Sequence, residues 1–402
     1  MSVFRSPSPN DATIVEGTGE NVLLLSMRRL HNLVAFTLQF EFEDVIADVA
    51  GADRVEMSGR AALEFSRRTY KLLRMATGSG RLAQALTPAP ATVRLRTDYE
   101  LFFPIFNNVY ELYALATVPG WRAHSHRAAC FVSEIHFGHL PGYLLELLAE
   151  FDHVFVGVDG PVAEFAQALG RPVSYLPLAV DVLRFAPNPG PTPRPIDVCN
   201  IGRRSPVTHS ALLELARSRR IFYYYDTVAA SGADLKQRTF RVDSASEHRF
   251  LLASILQRSR YFIANRGLVN QPEVTRGRDI IPNRCYEGAA AGTVMLGEAP
   301  RSEEFNHQFD WPDAVIPLPF DSPDVHRLLA DLDQDPDRLE RIRRDNVRNA
   351  ALRHDWVYRL RTVFETLGLT LTAPMLAREE QLRKIAERVA TFGEGATLVD
   401  PS

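Results

Sequence analysis

A short segment in the second half of the chain combines charged side chains with a helix made of small residues. Arg284 and Glu287 lie at the start of a run of small residues that ends at Gly292. A glycine there is typical of a helix C-terminus, and the apolar residues after it predict a strand. Such a helix packs closely on its sheet, so we expect Glu287 and the first-turn amides to face a ligand at the sheet edge, with Arg284 supplying positive charge. The alternative is a buried helix in which Arg284 and Glu287 pair with each other.

A second candidate group lies in the first half of the chain. Glu134 ends a predicted strand over residues 129–134, and His136 follows it closely. In open α/β sheets ligands bind outside the carboxyl ends of the strands, so we predict that both side chains belong to a ligand-binding site. The alternative is a salt-bridged surface loop.

Two groups that resemble metal ligands are explained without a metal. Four histidines flank the predicted strand instead of sharing a helix face, and no H-E-x-x-H motif accompanies them. They are His124, His126, His136 and His139. Asp331 and Asp333 belong to an acidic run between two predicted surface helices, where solvation and helix capping explain them. We predict no metal site and no cofactor.

Residues 78–83 have the glycine spacing of a dinucleotide-binding loop. That loop needs a strand before it, whereas the preceding residues 61–75 predict a helix. We therefore expect no dinucleotide site at this position.

The whole chain alternates short apolar runs with helical periodicity, which is the pattern of parallel sheets with crossover helices. In the first half we predict strands over residues 21–26, 129–134, 153–158 and 173–178, and helices over 61–75, 141–151 and 161–169. In the second half we predict strands over 196–201, 220–225, 261–264, 293–296 and 314–317. Helices are predicted there over 210–217, 248–257, 284–291, 324–332, 336–348, 355–367 and 374–392. The predicted fold class is α/β.

The strongest domain boundary is the segment 186–195, in which five prolines alternate with other residues. Alternating prolines exclude a helix or a central strand. We predict an extended segment over 1–20, a Rossmann-like domain over 21–186, a stiff linker over 187–195 and a second Rossmann-like domain over 196–370. A helix within 371–402 is expected to cross back to the first domain.

The overall composition limits the partners of the chain. With 402 residues, 46 Lys and Arg and 49 Asp and Glu, the formal net charge is −3, which is too weak a field to hold nucleic acid by charge alone. The 46% hydrophobic and 24% charged residues are typical of a globular protein with sizeable cores. The composition therefore argues against a nucleic-acid-binding or disordered protein.

Cysteine usage and the N-terminal residues indicate the compartment. Cys130, Cys199 and Cys285 are widely spaced and form no zinc or disulfide pattern, which fits a reducing compartment. Residues 1–20 lack the apolar core of a signal peptide, and no run of about 18 apolar residues is present to span a membrane. We expect a soluble cytoplasmic protein without a transmembrane segment, with peripheral membrane contact left open.

Residues 284–296 read R-C-Y-E-G-A-A-A-G-T-V-M-L. This segment resembles the R-x-F-E-A-x-A-x-G-x-x-x-L motif of the group-1, family-4-like glycosyltransferases of GT-B architecture. Residues 196–204 are similar to the opening strand and loop of their donor domain, and residues 256–265 to the strand before the donor loop. The order of 303–305, 336–348 and 354–356 also fits this family. The resemblance is confined mainly to the second half of the chain.

The resemblance implies two Rossmann-like domains facing across a cleft, with a nucleotide-diphosphate-sugar held mainly by the second. It implies that Glu287 binds the ribose hydroxyls and that Asp279 lies near the donor sugar. Arg203 or Arg204 would meet the diphosphate. The rest of the expected nucleotide-sugar set consists of Asn265 and Arg284.

The implied reaction is transfer of a hexose or related sugar to a hydroxyl acceptor, with retention at the anomeric carbon. Breaking the sugar–phosphate bond builds negative charge on the departing diphosphate, which arginines and a helix N-terminus stabilise without a metal. A diphosphate oxygen would help to remove the acceptor proton, and Glu134 or His136 would orient the acceptor.

Two departures from the family pattern keep other functions open. Asp279 stands where the family has a glutamate, and the lysine usually found a few residues after Gly202 and Arg203 is absent. Besides sugar transfer, the residues fit a GT-B sugar-nucleotide 2-epimerase or a catalytically silent sugar-nucleotide-binding protein.

Overall fold

The computed structural model of the chain describes residues 13–15, 21–29, 33–56, 60–87, 93–95, 97–135, 140, 142–160, 162–189, 192–226, 241–270 and 278–391. Short parallel strands alternate with helices throughout, and the chain divides into two compact units. The first unit contains Met1–Asn32, Glu43–Pro177 and Thr362–Pro374, and the second contains Leu33–Phe42, Leu178–Arg361 and Met375–Ser402. Each unit has its own parallel sheet, which confirms the predicted α/β class with two Rossmann-like halves.

The main sheet of the first unit has seven strands among the described residues. In chain order the strands of this unit are β1 (Thr13–Val15), β2 (Val22–Ser26), β3 (Ala52–Glu56), β4 (Val93–Leu95), β5 (Tyr99–Phe102), β6 (Ile105–Asn108), β7 (Ser125–Glu134), β8 (His153–Val156) and β9 (Val173–Tyr175). Neighbours in the main sheet follow the order β3-β2-β5-β7-β8-β9, β6 also pairs with β7, and β1 pairs with β4. Every residue of β2 and β8 is buried, because a parallel sheet is covered on both faces.

The helices of the first half show where the sequence pattern failed. They are α1 (Thr37–Ala50), α2 (Arg60–Thr77), α3 (Gly80–Leu86), α4 (Gly142–Leu148), α5 (Val162–Leu169) and a 3-10 helix over Val109–Thr117. Sequence periodicity missed α1 because this helix is buried on nearly every side, so it has no polar face to reveal its period. Its buried residues include Glu41 and Glu43. Its first residues group with the second unit and the remainder with the first.

The sheet of the second unit has five parallel strands in the part of the chain that the structure describes, in the order β11-β10-β12-β13-β14. These strands are β10 (Ile196–Asn200), β11 (Tyr223–Tyr225), β12 (Ser259–Ile263), β13 (Val294–Gly297) and β14 (Ile316–Pro317). The helices are α6 (Val182–Phe185), α7 (Pro206–Arg217), α8 (Ala245–Gln257), α9 (Asn283–Ala290), α10 (Glu303–Gln308), α11 (Val325–Asp333), α12 (Pro336–Arg353), α13 (Trp356–Leu367) and α14 (Ala373–Thr391). Every strand and helix predicted for this half is present with shifted ends.

The core of the second unit joins its sheet to the flanking helices. Val198 and Tyr261 on the central strands pack in one buried cluster with Leu212 of α7, Leu329 of α11 and Ile342 of α12. This packing holds the strands in register, so the loops that leave their carboxyl ends come out at one edge of the sheet.

The segment between the two predicted domains has neither helix nor strand in its described residues, and residues 190 and 191 lie outside those described. At the other end of the chain, α14 groups with the second unit from Met375 onward, and the crossing of this helix back to the first domain stays a prediction. Among the helices that the structure describes, none combines the length and the apolar character needed to span a membrane.

Candidate functional site

The predicted nucleotide-binding residues of the second half lie around the carboxyl end of its sheet. The loop after β10 contains Gly202, and the long connection after β12 leads to the N-terminus of α9. A Cβ atom on Gly202 would lie 3.2 Å from a terminal guanidinium nitrogen of Arg284. Gly202 has φ +75°, a left-handed conformation that glycine adopts without strain. The two loops therefore approach each other directly at this edge.

Arg284 occupies the first turn of α9 without a protein partner. Among the residues that the structure describes, Arg284 forms neither a hydrogen bond nor an ion pair. The preceding N-cap residue, Pro282, provides no side-chain cap for the first-turn amides. Burial lowers the pKa of Arg284, whereas the nearby charges of Glu287 and Asp226 act in the opposite direction. A half-buried guanidinium beside uncapped helix amides forms a site for an anion.

Glu287 lies on the next turn of α9, and its side chain is only 6% exposed. Its Oε1 accepts a hydrogen bond from Nη1 of Arg249, while Oε2 has no hydrogen-bond partner among the described residues. The alternative considered from the sequence, a pair between Arg284 and Glu287, is not formed. One carboxylate oxygen of Glu287 is thus fixed by the protein and the other is available.

Arg249 was not singled out from the sequence, although it fixes Glu287. It is 2% exposed, and on its other side Nε and Nη2 donate to the two carboxylate oxygens of Glu41, at 2.7 and 3.2 Å. Burial lowers the pKa of Arg249, but the two carboxylates raise it further, so the side chain is charged. Burial also raises the pKa of Glu41, and Arg249 opposes that rise.

A signal for Arg249 was present in the helix pattern. The buried residues of α8 are Arg249, Leu252, Ala253 and Leu256. This spacing is that of the core-facing stripe of an amphipathic helix, so the arginine occupies a position where an apolar residue is normal. An arginine in such a stripe predicts a buried carboxylate partner, but the sequence alone does not say which one.

Asp279 and Asn265 have partners within the protein. The Asp279 carboxylate accepts from Nη1 of Arg266 at 3.0 Å and from the backbone N–H of Arg301 at 2.8 Å. Oδ1 of Asn265 accepts from the backbone N–H of Glu298 at 2.9 Å. These bonds tie the connection after β12 to the residues that follow β13.

Arg203 and Arg204 follow Gly202 in the loop after β10. Nη1 of Arg203 donates to Oδ1 of Asn270 at 2.8 Å, and burial lowers the pKa of Arg203. Nη1 of Arg204 donates to the backbone oxygen of Asp226 at 2.8 Å, and its guanidinium lies 5.4 Å from the ring centre of Tyr225. The acceptors in both bonds are neutral, so these bonds do not neutralise the charge of either arginine.

The candidate residues of the first half are less well defined. Glu134 ends β7, as expected, and is exposed at the carboxyl end of that strand. His136 lies outside the described residues, as does His139. The structure therefore brings together the second-half candidates and leaves the first-half pair as a prediction.

The motifs set aside from the sequence have local structural roles. A helix, α2, precedes Gly78, where a dinucleotide-binding loop would need a strand. Asp333 pairs with Arg260 and accepts from the hydroxyl of Tyr261. Nδ1 of His124 lies 2.9 Å from Oδ1 of Asp98. Within the described ranges, no group of three or more His, Cys, Asp or Glu residues is placed to hold a metal ion.

Comparison with known proteins finds a family that matches part of the second half of the chain. Residues 244–365 match the model of a family described as glycosyl transferase-like. No curated protein matches the chain. The matched residues contain Arg249, Asn265, Asp279, Arg284 and Glu287. The match supports the resemblance to glycosyltransferases for this part of the chain.

Solved structures resemble the chain at low sequence identity, and HepE, CalG4 and TarM are among them. HepE from Anabaena, solved in complex with UDP-glucose, is 13% identical, with 86% of this chain and 99% of that chain covered and a TM-score of 0.45. CalG4, the calicheamicin glycosyltransferase, is 13% identical, with 88% and 99% covered and a TM-score of 0.35. TarM is 8% identical, with 66% and 54% covered and a TM-score of 0.41.

Proposed function

We propose that this chain, whose residues 244–365 are glycosyl transferase-like, transfers a sugar from a nucleotide-diphosphate-sugar to a hydroxyl acceptor. The observation that carries the proposal is the unpartnered Arg284 in the first turn of α9. A guanidinium and a helix N-terminus together favour a phosphate group, which accepts two parallel hydrogen bonds from arginine. Arg203 and Arg204 add positive charge in the adjacent loop, so a diphosphate is the anion that fits this arrangement.

The nucleoside part of the donor is assigned to Glu287. Its free oxygen, Oε2, is able to accept a hydrogen bond from a ribose hydroxyl, while Arg249 holds Oε1 in place. Because Arg249 is itself fixed by Glu41, the carboxylate cannot rotate away without breaking a buried ion pair. In this proposal Asn265 and Asp279 shape the connection beside the donor, since their side-chain oxygens already accept hydrogen bonds within the protein.

The proposed reaction proceeds with retention and without a metal. The bond between the anomeric carbon and the diphosphate oxygen breaks, and the electron pair stays on the diphosphate. The acceptor hydroxyl forms the new bond from the same face and passes its proton to a diphosphate oxygen. The arginines and the amides of α9 stabilise the charge that develops on the leaving group. Glu134 and His136 of the first unit are the candidates for orienting the acceptor.

Binding of nucleotide-sugars to the purified chain tests the proposed donor. A thermal-shift panel would begin with UDP-glucose, and a ligand at 100 times its dissociation constant should raise the free energy of unfolding by about 2.7 kcal/mol. Arg284→Gln should weaken binding of the best ligand by at least about tenfold, because it removes a charge-assisted contact to phosphate. Arg217→Gln removes one exposed arginine elsewhere in the second unit and should leave the affinity unchanged. Equal affinities of the Arg284→Gln variant and the natural protein would refute the assignment.

Analysis of the products tests the reaction. With the best donor and a panel of hydroxyl acceptors, we expect a glycoside product of retained configuration that forms only when an acceptor is present. Conversion of the donor to its 2-epimer in the absence of an acceptor would show that the chain is a sugar-nucleotide 2-epimerase. Binding of the donor without turnover would show that it is a catalytically silent binding protein. Activity should survive EDTA. Loss of activity that manganese or magnesium restores would contradict the metal-independent reaction.

A further inference from the structure

We propose that a second site, at the amino end of the sheet of the second unit, binds anions that carry two or more phosphate groups. The site is a cavity of about 610 Å³ within this unit. Its charged lining consists of Arg194, Arg260, Arg343, Arg344, Arg388 and Glu340. Five arginines therefore share one cavity with a single lining carboxylate, in a chain whose formal net charge is −3.

Four segments of the chain bring these arginines together, and one of them is β12, which contains Arg260. Glu340, Arg343, Arg344 and Val347 belong to α12, and their spacing places them on one helix face. Arg388 comes from α14, and Arg194 comes from the residues immediately before β10. The apolar part of the wall includes Pro187, Pro189 and Val347.

Carboxylates compensate these arginines only in part: Arg343 pairs with Glu340, whereas Arg344 has no such partner among the described residues. Arg344 forms no hydrogen bond or ion pair with any described residue, and Nε of Arg343 is buried without a partner. Nη1 of Arg343 lies 3.7 Å from Glu340. Arg194 donates to the backbone oxygens of Ser259 at 2.7 Å and Ala291 at 3.0 Å, which are neutral acceptors, and the nearby negative charge of Glu340 favours its charged form.

The positive charge of Arg343 disfavours the charged form of Arg194, and the negative charge of Glu340 acts in the opposite direction. Burial, with a contribution from the nearby charge of Arg343, lowers the pKa of Arg194 to about 10. Arg260, in contrast, is neutralised by Asp197 at 2.9 Å and by Asp333, so it contributes little free charge. An anion that enters between Arg194, Arg343 and Arg344 would relieve the repulsion.

The chemistry of the lining selects phosphate groups. Guanidinium groups form paired hydrogen bonds with phosphate oxygens, and several arginines around one cavity favour a ligand with several negative charges over a single carboxylate. The cavity has the volume of ordinary small-molecule sites, which range from about 300 to 1,000 Å³. A diphosphate, a triphosphate or two phosphates on one molecule would fit this charge.

This cavity is separate from the proposed donor site. Arg194 precedes β10 and Arg260 lies near the start of β12, whereas Gly202 and Asn265 follow the carboxyl ends of the same strands. Each strand has five residues, so at about 3.3 Å per residue the two ends of the sheet are roughly 16 Å apart. One phosphate compound cannot make both sets of contacts through the same phosphate groups.

Tripolyphosphate binding measured by calorimetry tests the site, in an Arg284→Gln background so that the proposed donor site is disabled. We expect binding to persist in this background and to weaken with increasing salt. Adding Arg344→Gln and Arg388→Gln should weaken it by at least about tenfold, because two charged donors are removed. The matched control adds Arg217→Gln and Arg327→Gln, which remove the same charge from exposed positions, and should leave the affinity within about twofold. Melting temperatures establish that each variant is folded, and Arg343→Gln replaces the double change if it is not.

Vesicles distinguish a free phosphate compound from a lipid headgroup. Binding of tripolyphosphate but not of vesicles that contain phosphatidylinositol bisphosphate supports a soluble ligand, and binding of these vesicles that depends on Arg344 and Arg388 supports a phosphorylated lipid. Equal tripolyphosphate affinity in the cavity variant and its control, or no binding in the Arg284→Gln background, would overturn the proposal. Either result leaves the proposed donor site untouched, since that site is tested with nucleotide-sugars and Arg284.

Discussion

Arg249 and Arg284, two arginines of the second unit, differ in the partners that the protein supplies to them. Arg249 is buried between the carboxylates of Glu41 and Glu287, whereas Arg284 has no carboxylate or hydrogen-bond partner among the described residues. Removing one partner from a buried ion pair leaves an uncompensated buried charge, which strongly destabilises the folded state. A charge left without a partner indicates where a ligand completes the arrangement.

A second contrast lies along α1, between Glu41 and Glu43. Glu41 accepts from Arg249 and from the backbone N–H of Asp181, at 2.7 Å in each case. Glu43 accepts from the hydroxyl of Ser26 at 2.6 Å, and its Oε1 is buried without a partner. Burial raises the pKa of Glu43 to about 8. Burial raises the pKa of both glutamates, but Glu41 lies within hydrogen-bond distance of an arginine, whereas Nη2 of Arg28 is 3.6 Å from Oε2 of Glu43.

The largest effect is expected for Arg249→Met. Removing the arginine leaves two buried carboxylates facing each other, so the free energy of unfolding should fall by about 3–5 kcal/mol. Urea denaturation measures this change.

Two controls sharpen the contrast between Arg249 and other arginines. Arg353→Met breaks an ion pair with Asp310 that is 40% and 52% exposed, and should change the free energy of unfolding by less than about 1 kcal/mol. Arg284→Met removes a charge that has no partner and should not destabilise the protein. If Arg249→Met and Arg284→Met lowered the free energy of unfolding equally, the proposed difference between the two arginines would be wrong.

The pH dependence of unfolding tests Glu43. Because burial raises the pKa of this carboxyl from 4.5 to about 8, the folded chain keeps a proton that the unfolded chain releases. Stability should therefore decrease as the pH rises from about 4.5 to about 8, by at most about 1.4 kcal/mol for each pH unit. Glu43→Gln cannot ionise and should flatten the decrease across this window. A variant with the same pH slope as the natural protein would assign the dependence to another group.

Glu287→Gln tests the separate roles proposed for the two carboxylate oxygens of Glu287. The amide retains an oxygen that accepts from Arg249 but loses the charge, so nucleotide affinity should fall by about tenfold, or about 1.4 kcal/mol. Stability should also fall because Arg249 loses one ionic partner. Glu41→Gln is the matched control, since it weakens the same buried arginine pair without a proposed ligand contact. Calorimetry should therefore show the affinity loss in Glu287→Gln alone, and equal affinities in both variants would remove Glu287 from the donor site.

The smallest effect is expected for Asp279→Asn. Its carboxylate bridges Arg266 and the backbone of Arg301, and an amide oxygen preserves one of these two bonds. The free energy of unfolding should fall by about 1 kcal/mol, with a smaller loss of donor affinity than in Glu287→Gln. Thermal unfolding and calorimetry measure the two quantities. A large loss of donor affinity at unchanged stability would instead indicate that Asp279 contacts the donor sugar directly.

The second half of the fold was predictable because neighbouring residues mark where its helices and strands begin and end. The five prolines between 186 and 195 end one group of elements, and Gly292, with φ +62°, follows the end of α9, where the sequence predicts a helix C-terminus. The first half was predicted less completely. β5 and β6 form one apolar stretch interrupted by Pro104, and α1 is buried on nearly every side, so neither shows the period of its own structure.

The sequence by itself determined the type of site: a helix beginning with Arg284 and Glu287, small residues after it, and a parallel sheet behind it. These are properties of neighbouring residues, which local periodicity and capping record. Only the tertiary structure decided that Glu287 pairs with Arg249, that Asp279 is bound by Arg266, and that arginines from α12, α14 and the segment before β10 share one cavity. The physical reason is that charge pairing depends on distance through space and on burial. Both arise only when residues as far apart in the chain as Glu41 and Arg249 pack together.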